Sequence, residues 1–413
     1  MKSVPNIELL SPCGSFESLR AAIQAGCNAV YFGVEQLNMR ARSSINFSLD
    51  DLKTISSIAK KSNIKAYITL NTILYDHDMS LMRAIVDKAK EYGVNAVIAA
   101  DHAVMNYAKK VKMSVHISTQ ANITNIDSVE FYAQFADVVV LARELTLEQV
   151  KKIVHEIKRR KIKGPSGELL RVEVFVHGAL CMAVSGKCYL SLHSHFASAN
   201  RGACVQNCRR NYLVIDKENF TELEIDNEYI MSAKDLCTIG FLDKILDAGV
   251  SVLKIEGRGR SEEYVYTTTK AYREAVDSVH TGSFSKENIM KWKGQLETVF
   301  NRGFWDGYYL GKEIGEWNNE YGSKATKRKI YVGKGVKYFD KIAIGEFKIE
   351  AQCLQVGDDI LISGPTTGVI QDKVSELRVK DRKKEMARRG DVVSLPVKSK
   401  IRSSDKLYKV VNV

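Results

Sequence analysis

Proline is scarce, with 5 residues in 413, so long proline-rich linkers are excluded. No apolar run approaches the roughly 18 residues that a membrane span requires. The N-terminus, Met1-Lys-Ser-Val-Pro-Asn6, has no apolar signal core before Glu8, and a cytoplasmic location is expected. Two hydrolase signatures are missing as well. There is no G-x-S-x-G elbow, and His155-Glu156 lacks the second histidine of H-E-x-x-H. Acidic residues are outnumbered, 49 against 61 basic, for a net charge of +12.

What is present is ordinary globular composition, 45% apolar and 27% charged. The length suits a barrel-sized domain with an appendage. The basic excess is local. Residues 327–413 hold 20 basic and 11 acidic side chains, net +9, whereas the other 326 residues hold 41 and 38, net +3. Such a concentration points to a polyanion, most often nucleic acid, and equally to simple solubility.

Over the first 280 residues short apolar runs alternate with segments of helical period. Strands are expected at 7–10, 29–32, 65–70, 96–99, 114–117, 138–141, 172–176 and 252–255. Leu147, Val150, Ile153, Val154 and Ile157 share one helical face, which Thr146 and Gln149 start in capping-box spacing. Leu52, Ile55, Ile58 and Ala59 form another face, with Ser48 as N-cap. Eight such units predict an α/β protein, a closed (β/α)8 TIM-like barrel, with an open doubly wound sheet as the alternative.

Side-chain parity within the strands carries the functional signal. Glu173, Phe175 and His177 oppose Val172, Val174 and Val176; Lys254 and Glu256 oppose Leu253 and Ile255; Ser114, His116 and Ser118 oppose Val115 and Ile117; Tyr67, Thr69 and Asn71 oppose Ile68 and Leu70. The helix-facing side must be apolar, so the polar parity faces the axis. Polar groups there cost several kcal/mol, on the order of 2–7 each, unless hydrogen-bonded or used. The alternatives are a ligand-holding mouth and a satisfied buried network. Asn71, Gln120, Arg143, Glu144, His177, Glu256 and Arg258, just past strand ends, would line such a mouth, with Arg40 and Arg42 within reach. Lys254, Glu256 and His177 are the candidate catalytic groups. Arg40, Asn71, Gln120, Arg143, Glu144 and Arg258 are the candidate substrate-binding ones, arginine being a natural fork for carboxylate or phosphate.

After the seventh strand the βα pattern breaks at residues 178–212. Cys181, Cys188, Cys204 and Cys208 form a C-x6-C-x15-C-x3-C array, four of the chain's eight cysteines. Thiolates cluster in this way around one soft metal centre, and a cytosolic chain has little use for disulfides. The spacing is neither the paired knuckles of a zinc ribbon nor C-x3-C-x2-C, since Asn211 stands where the third cysteine would be. An iron–sulfur cluster, 4Fe-4S, is expected at this array, and structural zinc is the alternative. Cys237 is a fifth candidate ligand. Cys27 and Cys353 read as small buried side chains, and Cys13 follows the first strand.

The stretch Glu173-Val-Phe-Val-His-Gly-Ala-Leu-Cys181, followed by Ser185-Gly-Lys-Cys-Tyr-Leu-Ser191, resembles the signature of the collagenase-like peptidase family U32. Leu10-Ser-Pro-Cys-Gly14, His116-Ile-Ser-Thr-Gln-Ala-Asn122, Ser232-Ala-Lys-Asp235 and Lys254-Ile-Glu-Gly-Arg258 agree with it, over residues 7–280. Cys13 stands where relatives often carry alanine. Length and cysteine array are most similar to the branch of tRNA hydroxylation proteins. That resemblance implies C5 hydroxylation of a wobble uridine to 5-hydroxyuridine, dependent on prephenate as co-substrate and on an iron–sulfur cluster. It also implies cluster ligation by Cys181, Cys188, Cys204 and Cys208, and an active mouth at Lys254, Glu256 and Arg258. The family's old name keeps a peptidase as the rival reading.

The barrel with its insertion is expected over 1–285, a helical and aromatic connection over 286–326, and a small basic all-β barrel over 327–413. The Val356-Gly-Asp-Asp-Ile-Leu-Ile and Arg389-Gly-Asp-Val-Val segments resemble the second domain of elongation factor Tu. Its densest basic run contributes Arg382, Lys383, Lys384, Arg388 and Arg389, which are expected to meet the tRNA backbone or to form a solvated loop.

Overall fold

The computed structural model describes residues 7–42, 46–213, 218, 231–311, 316–317, 319 and 322–413. Part of the connecting segment, residues 312–315, 318, 320 and 321, lies outside them. The chain opens with β1 (Glu8–Pro12), α1 (Phe16–Gln24), β2 (Ala29–Phe32), α2 (Asp51–Lys61), β3 (Lys65–Leu70), α3 (Met79–Glu91), β4 (Ala96–Ala99) and α4 (His102–Lys110). It continues through β5 (Val115–Ile117), α5 (Ile126–Ala133), β6 (Val138–Val140), α6 (Leu147–Arg160) and β7 (Arg171–Gly178). The cysteine insertion holds the short α7 (Leu190–His195); then come β8 (Asp235–Cys237), α8 (Leu242–Asp247), β9 (Val252–Ile255) and α9 (Glu262–Thr281).

Strands β1 to β7 pair in parallel in chain order, and β9 pairs with both β1 and β7, which closes an eight-stranded barrel. The eight expected strands are therefore the barrel strands. Two elements were not expected. β8 pairs antiparallel with the end of β7, and β10 (Phe304–Trp305), which follows α10 (Lys286–Glu297), lies parallel to β8 outside the barrel. At the start of α6, Thr146 N donates to Gln149 Oε1 (2.8 Å) and Gln149 N to Thr146 Oγ1 (3.3 Å), the reciprocal cap its spacing predicts. Ser48 makes the same exchange with Asp51, one turn ahead of α2.

The barrel has two apolar layers. Alternate strand residues such as Leu9, Ile68, Val97 and Ile117 pack outward against Leu19, Leu52 and Ile55 of the helices. Full burial of each such side chain contributes about 1.5–3 kcal/mol. The opposite parity, Leu10, Tyr31, Tyr67, Ile98, Val138 and Val252, fills the interior.

The C-terminal region comprises β11 (Lys327–Phe339), β12 (Ile344–Ile349), β13 (Leu354–Gln355), β14 (Asp359–Gly364), β15 (Gly368–Lys373) and β16 (Leu377–Val379). It ends with β17 (Arg382–Lys384), β18 (Met386–Ala387), β19 (Val392–Pro396) and β20 (Lys406–Asn412). Eight of these form one antiparallel sheet wrapped round Val332, Phe347, Ile362, Leu377 and Leu407, and β13 pairs with β18. The small all-β unit expected at the C-terminus is thus present, with β15 and β17 at the ends of its strand order. It packs on the outside of the (β/α)8 barrel. Ala21 of α1 meets Leu361 and Val369, Gln24 exchanges hydrogen bonds with Thr367 O (2.8 Å) and Val369 N (2.9 Å), and Lys329 bridges Glu262 (2.8 Å) and Glu263 (2.7 Å) of α9. No helix among the described residues is long and apolar enough to cross a membrane.

Candidate functional site

The C-terminal ends of the barrel strands and the cysteine insertion enclose a cavity of about 210 Å³. Its floor is an ion pair between adjacent strands. Glu173 of β7 and Lys254 of β9 both point to the axis, with Lys254 Nζ 2.7 Å from Glu173 Oε1. Glu173 is fully buried and Lys254 nearly so. The ammonium also lies 4.7 Å from the Tyr31 ring and 5.4 Å from Phe175. Burial raises the Glu173 pKa, against the pull of Lys254. Its second oxygen, Oε2, is buried with no partner among the described residues.

One layer higher, Glu256 receives Arg40 Nη2 at 2.9 Å and the Tyr31 hydroxyl at 3.1 Å. Burial alone would raise its pKa, but Arg40, Arg143 and Arg258 outweigh it and hold the carboxyl at about 2. Glu256 is therefore a fixed anion and hydrogen-bond acceptor, not an acid at neutral pH. A carboxyl whose folded pKa is depressed stabilises the fold above its unfolded value, near 4.5, and that contribution disappears as pH falls towards 2. Glu256→Gln should flatten the acid limb of an unfolding curve across this window, measured by circular dichroism. An acid limb as steep as in the unmutated protein would show that Glu256 is not so depressed.

Arg258 is buried, donating to Thr69 Oγ1 (2.7 Å) and Asn38 Oδ1 (3.1 Å). Arg143 stacks 3.8 Å from the Phe175 ring and donates to Ala179 O (2.9 Å). Asn71 donates to Ser118 Oγ (3.3 Å), and Gln120 meets the insertion at Gly186. Gly186 has φ +77, and a Cβ there would fall 2.4 Å from Gln120 Oε1, so only glycine permits that approach. Among the described residues the lining holds Arg40, Arg143, Arg209, Lys254, Arg258, Arg260 and Arg302 and one carboxylate, Glu256, with Lys254 and Arg302 paired behind it to Glu173 (2.7 Å) and Asp235 (3.2 Å).

Cys181, Cys188, Cys204 and Cys208 all line this same cavity. Burial raises the Cys208 pKa, and the other three cysteines push it further, so the four thiols feel one another's charge. Among the described residues no three Cys, His, Asp or Glu side chains converge closely enough to hold a single metal ion. Four cysteine thiols are the donor type that either an iron–sulfur cluster or a structural zinc takes. Cys237 stands apart, buried with Sγ 4.0 Å from the Tyr272 hydroxyl, and Cys13 is buried outside the lining.

Three expected mouth residues lie elsewhere. A β-bulge between Phe175 and His177, opposite the single step from Lys254 to Ile255, turns His177 outward. Its ring packs among Tyr264, Tyr272 and Phe304, and burial lowers its pKa to about 3, so it is a neutral core side chain outside the cavity lining. Glu144 is exposed and absent from the cavity lining. Arg42 likewise faces solvent. Arg382, Lys383, Lys384, Arg388 and Arg389 are all exposed. The first three form β17, joined to β16 by Lys380 and Asp381, both at positive φ as a two-residue hairpin turn requires. Sequence reasoning missed Arg209, Arg260 and Arg302 as lining residues. Arg260, two residues past Arg258, was within reach of the strand-end argument, whereas Arg302 arrives from beyond α10 and carried no such signal.

The profile of peptidase family U32 matches residues 14–319. The chain is 55% identical over 407 residues, 98% of both chains, to a protein of Porphyromonas gingivalis named collagenase. It is 34% identical over 318 residues, 74% of this chain and 72% of the other, to tRNA hydroxylation protein P of Helicobacter pylori. Among solved structures, a U32 peptidase aligns over 62% of this chain and 96% of its own, at 14% identity and a TM-score of 0.39.

Proposed function

Given that the chain belongs to peptidase family U32, we propose that it modifies tRNA, hydroxylating C5 of a uridine with the help of a small carboxylate such as prephenate. One observation carries the reading: a cavity lined by seven cations and four cysteines against a single carboxylate, with no histidine among its lining residues. Such a site selects an anionic ligand and gives a peptide bond no evident base. Arg143 and Arg258 are placed to fork carboxylates of a prephenate-like molecule. Arg40 and Glu256 orient each other beside them, and Glu256 accepts hydrogen bonds at the rim. Lys254 offers ammonium donors from the floor, kept in place by Glu173. The four insertion cysteines would hold an iron–sulfur cluster, which supplies one-electron redox chemistry when bound. The exposed cations of β17, with Arg388 and Arg389, would meet the RNA backbone.

A peptidase is the second reading, favoured by the name of the Porphyromonas relative. Nucleoside mass spectrometry of tRNA from cells with and without the gene decides between them. The expected result is a hydroxylated uridine that disappears with the gene, and again when prephenate synthesis is blocked. An unchanged nucleoside profile, together with cleavage of denatured collagen by the purified protein, would replace this reading with the peptidase.

A further inference from the structure

The outer face of the cysteine insertion is unlike the rest of the surface. From 174 to 215 the chain contains no Asp or Glu, although it has 49 in 413 residues. The same segment carries Lys187, Arg201, Arg209 and Arg210. Within it, Tyr189 and Phe196 bracket α7 and are 78% and 92% exposed. Arg201 of the insertion lies 4.4 Å from the ring of Tyr75, which is 54% exposed in the loop after β3, donates to Ile73 O (2.7 Å) and is paired with Asp78 (2.6 Å).

Phe196 is held there against its backbone preference. It caps α7 in the left-handed region, φ +52, a position that suits glycine and is uncommon for a bulky side chain. Its ring gains almost no burial in return. The helix it ends is fixed to the cavity wall, because Ser191 Oγ accepts from Val205 N (3.1 Å) and lies 3.9 Å from Cys204 Sγ. Chain runs directly into α7 from the cavity-lining Cys188 and out to the cavity-lining Ala199. The two rings thus stand at the rim of the cationic cavity, on a face without a single carboxylate of its own segment.

We propose that this face docks single-stranded RNA, with unpaired bases stacking on Phe196 and Tyr189 while a neighbouring base enters the cavity. Flat rings beside fixed cations are what a splayed RNA loop requires, and a paired duplex offers no free base face to them. The acid-free segment favours a polyanion over a peptide. The inference rests on the tRNA reading and deepens it, since it makes the insertion, and not the C-terminal sheet, the part that recognises the loop.

The test compares an RNA stem-loop with a fully paired duplex of the same length, binding the full-length protein. Phe196→Gly removes the ring and relaxes the cap, so the thermal midpoint and iron content should hold or rise. Stem-loop affinity should nevertheless fall about tenfold, the usual worth of one stacked base. Duplex affinity should stay constant, and Phe196→Trp should bind as well as the unmutated protein. Tyr189→Ala should act in the same direction. Equal losses for stem-loop and duplex, or none for either, would overturn the proposal. So would a variant that keeps RNA affinity but loses binding to an unfolded collagen peptide, which would assign the face to a protein partner. Ring-dependent stem-loop binding in a protein whose deletion leaves every nucleoside unchanged would instead retain this surface and remove the hydroxylation chemistry.

Discussion

Anaerobically purified protein should be brown, and Cys181→Ala, Cys188→Ala, Cys204→Ala or Cys208→Ala should each abolish the colour and most of the iron. All four thiols line one cavity. In the proposed four-thiolate cluster each missing thiolate removes one of its protein bonds. Cys237→Ala and Cys353→Ala are the controls. The first sits behind the barrel wall against Tyr272 and the second lies in the C-terminal sheet region, so both should keep full iron and colour. Iron and sulfide analysis with the visible spectrum reads the outcome. A colourless preparation containing one zinc per chain would refute the cluster, and equal iron loss in Cys237→Ala would redraw its ligand set.

The second large effect lies at the cavity floor. Lys254→Ala leaves the fully buried Glu173 carboxylate without its 2.7 Å partner, and breaking such a pair costs about 3–5 kcal/mol. Removing both charges with similar volume, Lys254→Met with Glu173→Leu, should recover most of that stability, because a well-packed apolar pair replaces a buried ionic one at little net cost. It should not recover uridine hydroxylation. Denaturant unfolding gives the first quantity and nucleoside analysis of complemented cells the second. A double variant that restores the modification would reduce Lys254 to a packing role. One as unstable as Lys254→Ala would mean that the pair is not the source of the loss.

The barrel was legible because its strands repeat one physical requirement: an apolar face for the helices. Parity then placed Glu173, Lys254, Glu256, Thr69 and Asn71 on the inner side before any coordinates. Parity fails where a strand stops alternating, and the bulge at His177 is such a point. No pattern in Phe175-Val-His177 announces that the partner strand advances by one residue while this one advances by two. Glu144 failed for a different reason. It lies beyond the end of β6, where chain direction is set by the turn and not by the pleat. The cation count was underestimated because Arg209 and Arg302 reach the mouth from segments outside the βα repeat. The C-terminal strands were readable from their turns, because the Gly-Asp and Gly-Pro breaks between short apolar runs mark where each strand must end.

Closure of the barrel by β9, which bonds to both β1 and β7, has a consequence for biosynthesis. During translation the four cysteines leave the ribosome before Val252–Ile255 exists, so the wall they line is incomplete when they first meet solvent. At about 5–20 residues per second that interval lasts several seconds. For that time the thiols belong to an unfinished chain with no cavity around them. For the proposed cluster, loading before release would have to proceed on a partly folded nascent chain, and loading afterwards would compete with oxidation by air. Yield of active protein from aerobic overproduction should thus be governed by the rate of synthesis as much as by the iron supply.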